Sequence, residues 1–365
     1  MINSYTLLGA MSGTSLDGLD LACCHFTRTA AGKWDYTVLA AETISYTEAW
    51  QQRLAHLMQA DALTFVKTDR ALGRWMGEQV RQFMNRHHVQ PQAVASHGHT
   101  VFHQPEEGLT VQIGSGVSMM AACGIPVIND FRSLDVALGG HGAPLVPIGD
   151  QLLFSDYDFC LNLGGIANIS AQQGASRIAY DVCPANGVLN YLARRMDQPY
   201  DPDGRLAASG QLLPGLLQQL NALPYYALPG PKSLGYEWVE AEALPLIAST
   251  EAPVPDLLYT VCEHIAQQIT LSARQLMPKG KGEQKKLLAT GGGAFNKHLI
   301  DRIDQHLAPF GIEVVLPDAQ TIAFKEALIF AFLGVLRLRN EPNCLSSVTG
   351  ARSDSSGGVI YDNIL

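Results

Sequence analysis

Apolar residues near the start of the chain come in short runs broken by glycine. A run at Tyr5–Leu8 enters the segment Gly9-Ala10-Met11-Ser12-Gly13-Thr14-Ser15-Leu16-Asp17-Gly18-Leu19-Asp20, and a second run, Leu19–Cys24, leaves it. Two apolar runs flanking a glycine turn predict a β-hairpin, and alternation of Tyr36, Val38 and Ala40 within Trp34–Ser45 predicts a third strand. From Asp69 to His88, the residues Leu72, Trp75, Met76, Val80, Phe83 and Met84 fall at helical spacing. Short strands are expected at Ala93–Ser96 and Ile125–Asn129, with a glycine turn at Gln112–Gly116 and a helix beginning at Val117.

Near Phe159 the pattern restarts: strand Phe159–Leu163, turn Gly164-Gly165, strand Ile166–Ser170, strand Arg177–Tyr180, helix Gly187–Met196. A long helix follows at Asp256–Met277, then strand Lys286–Ala289, turn Gly291-Gly292-Gly293, a helix from Asn296, strand Ile312–Leu316 and a strongly apolar helix at about 323–339. Two halves opening with the same unit predict an internal duplication. Strands alternating with helices predict an α/β fold with parallel or mixed sheets. The expected domains are residues 1–135 with 345–365, and residues 136–344. Two such halves facing each other would place their glycine turns in one interdomain cleft, where ligands commonly bind.

Composition narrows the function. The 365 residues are 47% hydrophobic and 16% charged, with a net charge of −9. The Lys/Arg-rich tract is confined to Lys279–Lys286, which disfavours a nucleic-acid partner, since phosphate backbones demand a basic face. The N-terminus lacks a signal-peptide pattern, and the longest uncharged apolar run, Ala327–Leu336, is too short to cross a bilayer. Seven cysteines without a C-x-x-C pair suggest reduced thiols in a cytoplasmic protein.

No Walker A sequence is present, and no G-x-G-x-x-G opens a helix after a strand. What remains is three glycine turns, at 9–18, 164–165 and 291–293, each directly after an apolar strand. Such turns present backbone N–H groups to an anion, so together they predict a nucleotide held between two halves. Ser12, Thr14 and Ser15 add donors, and Asp17 can hold a hydrated cation. Each turn is also compatible with an ordinary hairpin. A different chemistry is offered by His97, His99 and His103, an H-x-H-x3-H cluster that Asp130, Asp135 and His141 can complete as a metal-dependent hydrolase site. A non-enzymatic nucleotide-binding regulator is a third reading.

The segment Gly13-Thr14-Ser15-Leu16-Asp17-Gly18 resembles the signature of the anhydro-N-acetylmuramic acid kinases. The likeness continues through Ser96-His97-Gly98, Asp130-Phe131-Arg132, Gly142-Ala143-Pro144-Leu145-Val146-Pro147 and Asn162-Leu163-Gly164-Gly165-Ile166-Ala167-Asn168. It extends to Asp181 with Pro184 and Asn186, Pro231-Lys232-Ser233, Gly291-Gly292-Gly293-Ala294 with Asn296, Lys325-Glu326-Ala327 and Ser347-Val348-Thr349-Gly350-Ala351. The resemblance implies a two-domain actin-like ATPase (ribonuclease H-like) fold and a cytoplasmic, homodimeric carbohydrate kinase of murein recycling. That enzyme uses ATP, Mg²⁺ and water to open a 1,6-anhydro sugar and phosphorylate O6.

By resemblance, Asp181 is the general base for water. Gly13, Thr14, Ser15, Leu16, Asp17, Gly18, Leu19 and Asp20 hold ATP with Gly164, Gly165, Gly291, Gly292, Gly293 and Asn296, and Asp17 holds Mg²⁺ through water. His97, Arg132, Asn186 and Glu326 contact the sugar. Asp181 is equally a candidate N-cap for the helix at 187, and Glu326 a partner for the positive end of the last helix. Departures from the family pattern at His99, Ser115, His141, Cys183, Leu234 and Tyr236 leave another anhydro sugar, such as levoglucosan, as an alternative substrate.

Overall fold

The computed structural model describes residues 3–13, 16–277 and 284–362. Among these, twelve strands form two sheets. They are β1 (Ser4–Ser12), β2 (Gly18–Arg28), β3 (Trp34–Ser45), β4 (Ala93–Gln104), β5 (Leu109–Ile113), β6 (Val127–Asn129), β7 (Phe159–Leu163), β8 (Ile166–Gln173), β9 (Ser176–Pro184), β10 (Lys285–Thr290), β11 (Ile312–Val315) and β12 (Val359–Tyr361). The helices that bear on the site are α1 (Ala62–His87), α2 (Gly116–Cys123), α3 (Ser133–Ala137), α4 (Asn186–Arg194), α5 (Val254–Leu276), α6 (Lys297–Leu307) and α7 (Ala319–Leu338).

The predicted duplication is visible in the strand order. In the first sheet the sequence β3-β2-β1-β4-β6 continues to β12, with β5 paired to β4; in the second the order is β9-β8-β7-β10-β11. Both begin as an antiparallel three-strand meander. Both then add two parallel strands. The same five-strand arrangement therefore occurs twice. The chain divides into two compact units, residues 1–153 with 324–365, and residues 154–323.

In the first unit the apolar stripe of α1, with Leu72, Met76, Val80 and Phe83 fully buried, covers the sheet beside Leu8, Leu19 and Val94. The helix begins at Ala62, about two turns before the sequence pattern predicts it. Asp61 caps it by accepting from the Thr64 N–H at 3.0 Å. From Phe324 onward α7 belongs to this unit, and a kink at Phe324 (φ −117°, ψ 17°) marks the change. Gly9 of β1 lies directly on the Ala327 carbonyl, and Gly334 packs on Ala95 and Leu7. These contacts need bare Cα positions, because a Cβ at Gly9 would sit 2.7 Å from the Ala327 carbonyl carbon.

In the second unit α5 supplies the core face, with Leu258, Val261, Ile265 and Ile269 packed on Leu161, Ile169 and Val182. All seven cysteines are buried and unbridged. No helix among the described residues is long and apolar enough to cross a membrane.

Candidate active site

In the first unit the hairpin register pairs Ser12, the last residue of β1, with Leu19 near the start of β2. Thr14 and Ser15, expected as phosphate donors, lie outside the described residues. The rest of the turn is well tied. Leu16 adopts a left-handed φ of 59°, its carbonyl accepts from Gln51 Nε2 at 3.1 Å, and the Asp17 carbonyl accepts from the Tyr46 N–H at 3.2 Å. A left-handed leucine stores strain, which is tolerated where surrounding contacts over-determine it. Gly18 is needed for a different reason: any Cβ there meets the Ile44 carbonyl of β3. The Asp17 side chain is exposed, whereas Asp20 faces inward and accepts from Thr43 Oγ1 at 2.5 Å.

Arg132, at the N-terminus of α3, is fixed from two sides. Its Nε and Nη2 both point at His97 Nε2, at 3.1 and 2.9 Å, and Nη1 donates to the Gly142 carbonyl at 2.6 Å. A guanidinium has only donors, so His97 must offer a lone pair at Nε2 and carry its proton on Nδ1, which donates to the Gly98 carbonyl at 2.9 Å. Burial, reinforced by the Arg132 charge, holds the His97 imidazole well below its ordinary pKa and hence neutral. Burial likewise lowers the Arg132 pKa to about 10, opposed by the Glu326 carboxylate. Glu326 retains access to water while protein crowds it, and this desolvation raises its pKa against the pull of Arg132. Asp20 raises it further. Glu326 lies two residues beyond the kink at Phe324, in the first turn of the helical segment that continues from it, so the helix-end role considered from sequence stands beside sugar contact. Its neighbour Lys325 forms a buried ion pair with Asp150 at 2.8 Å.

The loop that receives Arg132 depends on a residue that sequence reasoning placed elsewhere. Asp135 is 1% exposed. One of its oxygens accepts from the Gly142 N–H at 2.7 Å, and the other from Thr349 Oγ1 at 2.8 Å and Cys344 Sγ at 3.1 Å. It therefore ties the 139–142 loop to the segment 344–349. The metal-hydrolase reading fails on the same contacts. His97 is bound to Arg132, His99 shares a 3.0 Å hydrogen bond with Ser12, and His103 pairs with Thr110 at 3.0 Å. No group of three His, Cys, Asp or Glu among the described residues is arranged to hold a metal ion.

In the second unit, β9 continues past the predicted end at Tyr180 to Pro184. Asp181 therefore lies within the strand, opposite Asn168 and beside a bulge at Ala167/Asn168. It does not cap α4, whose N-cap is Ala185. Instead, Asp181 Oδ2 accepts from the Leu234 N–H at 2.9 Å and Ser233 Oγ at 3.3 Å. Oδ1 accepts from no protein group among the described residues. Burial raises the Asp181 pKa above the ordinary carboxylate range, and the Leu234 and Ser233 donors oppose the shift without cancelling it. The segment holding the carboxylate contains Pro231-Lys232-Ser233, a run the sequence displays without revealing what it touches.

Two glycine turns meet at Asn186. The Gly164 and Gly165 carbonyls accept from the N–H groups of Ala185, Asn186 and Gly187. Asn186 Nδ2 donates to the Leu163 carbonyl at 2.9 Å, while its side-chain oxygen lies where a Cβ on Gly293 would fall, 2.9 Å away. Gly291 takes a left-handed φ of 81°, and a Cβ there would sit 2.9 Å from the Leu163 carbonyl oxygen. Gly165 differs, since a Cβ on it would meet nothing within 4 Å and its φ is not left-handed. Neither packing nor backbone conformation explains that glycine. Asn296 caps α6 by accepting from the Leu299 N–H at 3.0 Å.

The sequence matches the family model described as anhydro-N-acetylmuramic acid kinase over residues 5–363. An anhydro-N-acetylmuramic acid kinase of Pseudomonas putida is 37% identical, covering 97% of this chain and 98% of that protein. One from Vibrio cholerae is 34% identical, covering 97% of each. Among solved structures, component A of the (R)-2-hydroxyglutaryl-CoA dehydratase of Acidaminococcus fermentans is 12% identical, covering 90% of this chain and 96% of that chain with a TM-score of 0.45.

Proposed function

The chain belongs to the anhydro-N-acetylmuramic acid kinase family and is a carbohydrate kinase. From that premise we propose that it opens the 1,6-anhydro ring of 1,6-anhydro-N-acetylmuramic acid with water and transfers the ATP γ-phosphoryl group to O6. The products are N-acetylmuramic acid 6-phosphate and ADP, a step in the reuse of cell-wall amino sugars. The observation that carries the reading is the Asp181 carboxylate, anchored through one oxygen, open at the other, and more basic than usual because it is desolvated.

Asp181 takes a proton from the water that attacks C1. The bond from C1 to the bridging oxygen breaks, and that oxygen, still on C6, attacks the γ-phosphorus as ADP leaves. In ordinary inverting glycoside hydrolysis a carboxylic acid protonates the departing oxygen. Here the phosphoryl group captures it, so a single base suffices and the remaining work is positioning and charge neutralisation. Arg132, held by His97 and Gly142, offers the sugar a fixed donor fork. Glu326 offers an acceptor, and Asn186 a polar edge on the second unit.

Phosphates are assigned to the 13–20 turn and to Gly164-Gly165, where the unexplained absence of a side chain at Gly165 favours close backbone approach. The turn at Gly291–Gly293, with Asn296, is assigned to the nucleoside. The acidic residues of the first unit fit Mg²⁺. Burial and the Asp17 charge raise the Asp20 pKa, and Asp20 in turn raises that of Glu326. These mutually repelling carboxylates would be relieved by a divalent cation. Mg²⁺ keeps several waters and takes one or two carboxylates, so the exposed Asp17 would hold it through water. When bound, the ion supplies charge neutralisation to the phosphate oxygens. The active species is taken to be a homodimer.

The test is ADP release with 1,6-anhydro-N-acetylmuramic acid, levoglucosan and ordinary hexoses, with product mass measured. A product of the first sugar that gains both phosphate and water is expected, with turnover abolished by Asp181→Asn while ATP binding is retained. Near-normal turnover in that variant, or a product gaining phosphate alone, would refute the mechanism. The names of the relatives give no support to the levoglucosan alternative.

A further inference from the structure

The second unit contains a strap, residues 225–234, that holds Asp181 through four hydrogen bonds. Tyr225 Oη donates to the Asp181 carbonyl at 2.6 Å, and the Asp181 N–H donates to the Lys232 carbonyl at 3.1 Å. Ser233 and Leu234 then donate to the carboxylate. Every one of these contacts requires the strap to keep its shape, and one side chain closes it on itself. Lys232 Nζ donates to the Tyr225 carbonyl at 3.0 Å and the Leu228 carbonyl at 3.2 Å. The same ammonium lies 4.5 Å from the Tyr225 ring centroid and 5.9 Å from that of Tyr226.

Tyr226 anchors the cluster to the core. Its hydroxyl bonds His264 Nε2 of α5 at 2.9 Å, and His264 Nδ1 bonds Asn221 Oδ1 at 2.7 Å. The titratable neighbours of the base are Tyr180 and Cys183 on its own strand, with Tyr225 and Tyr226 from the strap. Burial raises all four, so none carries charge at neutral pH. Lys232 is half-buried, and burial lowers its pKa, yet it makes no ion pair with Asp181 and so does not act on the carboxylate as a counter-ion.

We infer that Lys232 is a positioning residue for the general base: it clamps the strap so that Ser233 and Leu234 hold one carboxylate oxygen and leave the other open to water. The inference rests on the reading of Asp181 as that base. Lys232→Met keeps the unbranched side chain as far as Cε and removes its donors and charge. Lys232→Arg keeps both, and Ser233→Ala deletes one direct donor without disturbing the clamp.

The experiment measures kcat and KM for 1,6-anhydro-N-acetylmuramic acid and for ATP in the full-length variants, across pH, together with thermal stability. The Asp181 titration is followed in parallel by carboxyl-carbon NMR. Lys232→Met is expected to lower kcat roughly 10- to 100-fold, a share of what a positioned base contributes, with the ATP KM within about twofold. Lys232→Arg should restore most of kcat. Ser233→Ala should move the acid limb of the rate and the Asp181 titration upward together, since a donor to the charged form is lost. Wild-type kcat in Lys232→Met, a lowered melting temperature as its sole change, or an arginine variant no better than methionine would each overturn the inference. A shifted Asp181 titration with an unmoved rate limb in Ser233→Ala would instead overturn the base reading beneath it.

Discussion

Replacing Gly9 by alanine adds one methyl group at the most crowded backbone contact between β1 and α7. The new Cβ would overlap the Ala327 carbonyl oxygen, sit 2.7 Å from its carbon and 2.9 Å from the Ala331 nitrogen. All three are backbone atoms, so no rotamer change relieves them, and the helix must retreat by roughly 1.5 Å to restore ordinary contact. Overpacking of this kind costs about 1–3 kcal/mol, and a backbone clash belongs at the upper end. For a unit of this size each kcal/mol lowers the melting temperature by roughly 2–4 °C, giving an expected fall of roughly 6–12 °C. Glu326 is the residue before Ala327, and a displacement of about 1 Å in a positioning group can cost about 100-fold in rate. Thermal unfolding and ADP release on the purified variant measure both effects. A melting temperature within about 1 °C of wild type, with unchanged kinetics for the sugar, would show that α7 is not pinned by this contact and that Glu326 owes its place to something else.

Asp135→Ala leaves the Gly142 N–H, the Thr349 hydroxyl and the Cys344 thiol without their acceptor, at a cost of roughly 1–3 kcal/mol for each buried group unless water replaces it. The sugar KM should rise because Gly142 supports Arg132, while the ATP KM stays unchanged; equal changes in both would argue against the link. For Asp181, the raised folded pKa means that its stabilising share is complete below the unfolded value of about 3.9 and is lost as pH rises through the folded value. Asp181→Asn should therefore melt higher than wild type at pH 7, with the difference shrinking toward about pH 4; a lower melting temperature at pH 7 would contradict the desolvation argument. His97 is neutral because burial and Arg132 disfavour its charged form. The sugar KM should accordingly be flat from about pH 6 to 8, and an inflection there that vanishes in His97→Gln would show the imidazole titrating.

Much of this architecture was legible from local pattern. The meander of β1, β2 and β3 and its repeat in β7, β8 and β9 follow from short apolar runs separated by glycine, continuous in β1, β2 and β7, which are buried on both faces, and alternating in β3, which has one face exposed. The first two turns or so of α1 are hidden in the sequence because Leu63 and Val66 are 62% and 52% exposed and so interrupt the apolar stripe. β5 escapes the sequence reading, which places a turn over its last two residues, Gln112 and Ile113, because Thr110 and Gln112 give a short edge strand a polar face. At the site, the glycine turns could be found because each follows a strand directly. The partners of Asp181 could not, since Ser233 and Leu234 lie more than fifty residues away along the chain and one of them contributes only its backbone. The carboxylate of Asp135 resembles a metal ligand in sequence for a related reason: two of its three donors, a hydroxyl and a thiol, come from one segment more than two hundred residues away, and the third is the backbone amide of Gly142.

The first unit is made from two separated lengths of chain, and this orders events during synthesis. β1 emerges from the ribosome almost at once, but the helix that covers Gly9, Leu7 and Ala95 arrives only after residues 154–323 have been made. At ordinary elongation rates that interval is roughly 10–30 s, longer than most single domains need to fold. The second unit is continuous and can complete its fold once its last strand, β11, has emerged. The older half of the nascent protein meanwhile waits with one face of its sheet bare, exposed to chaperones and to aggregation, until α7 and β12 close it.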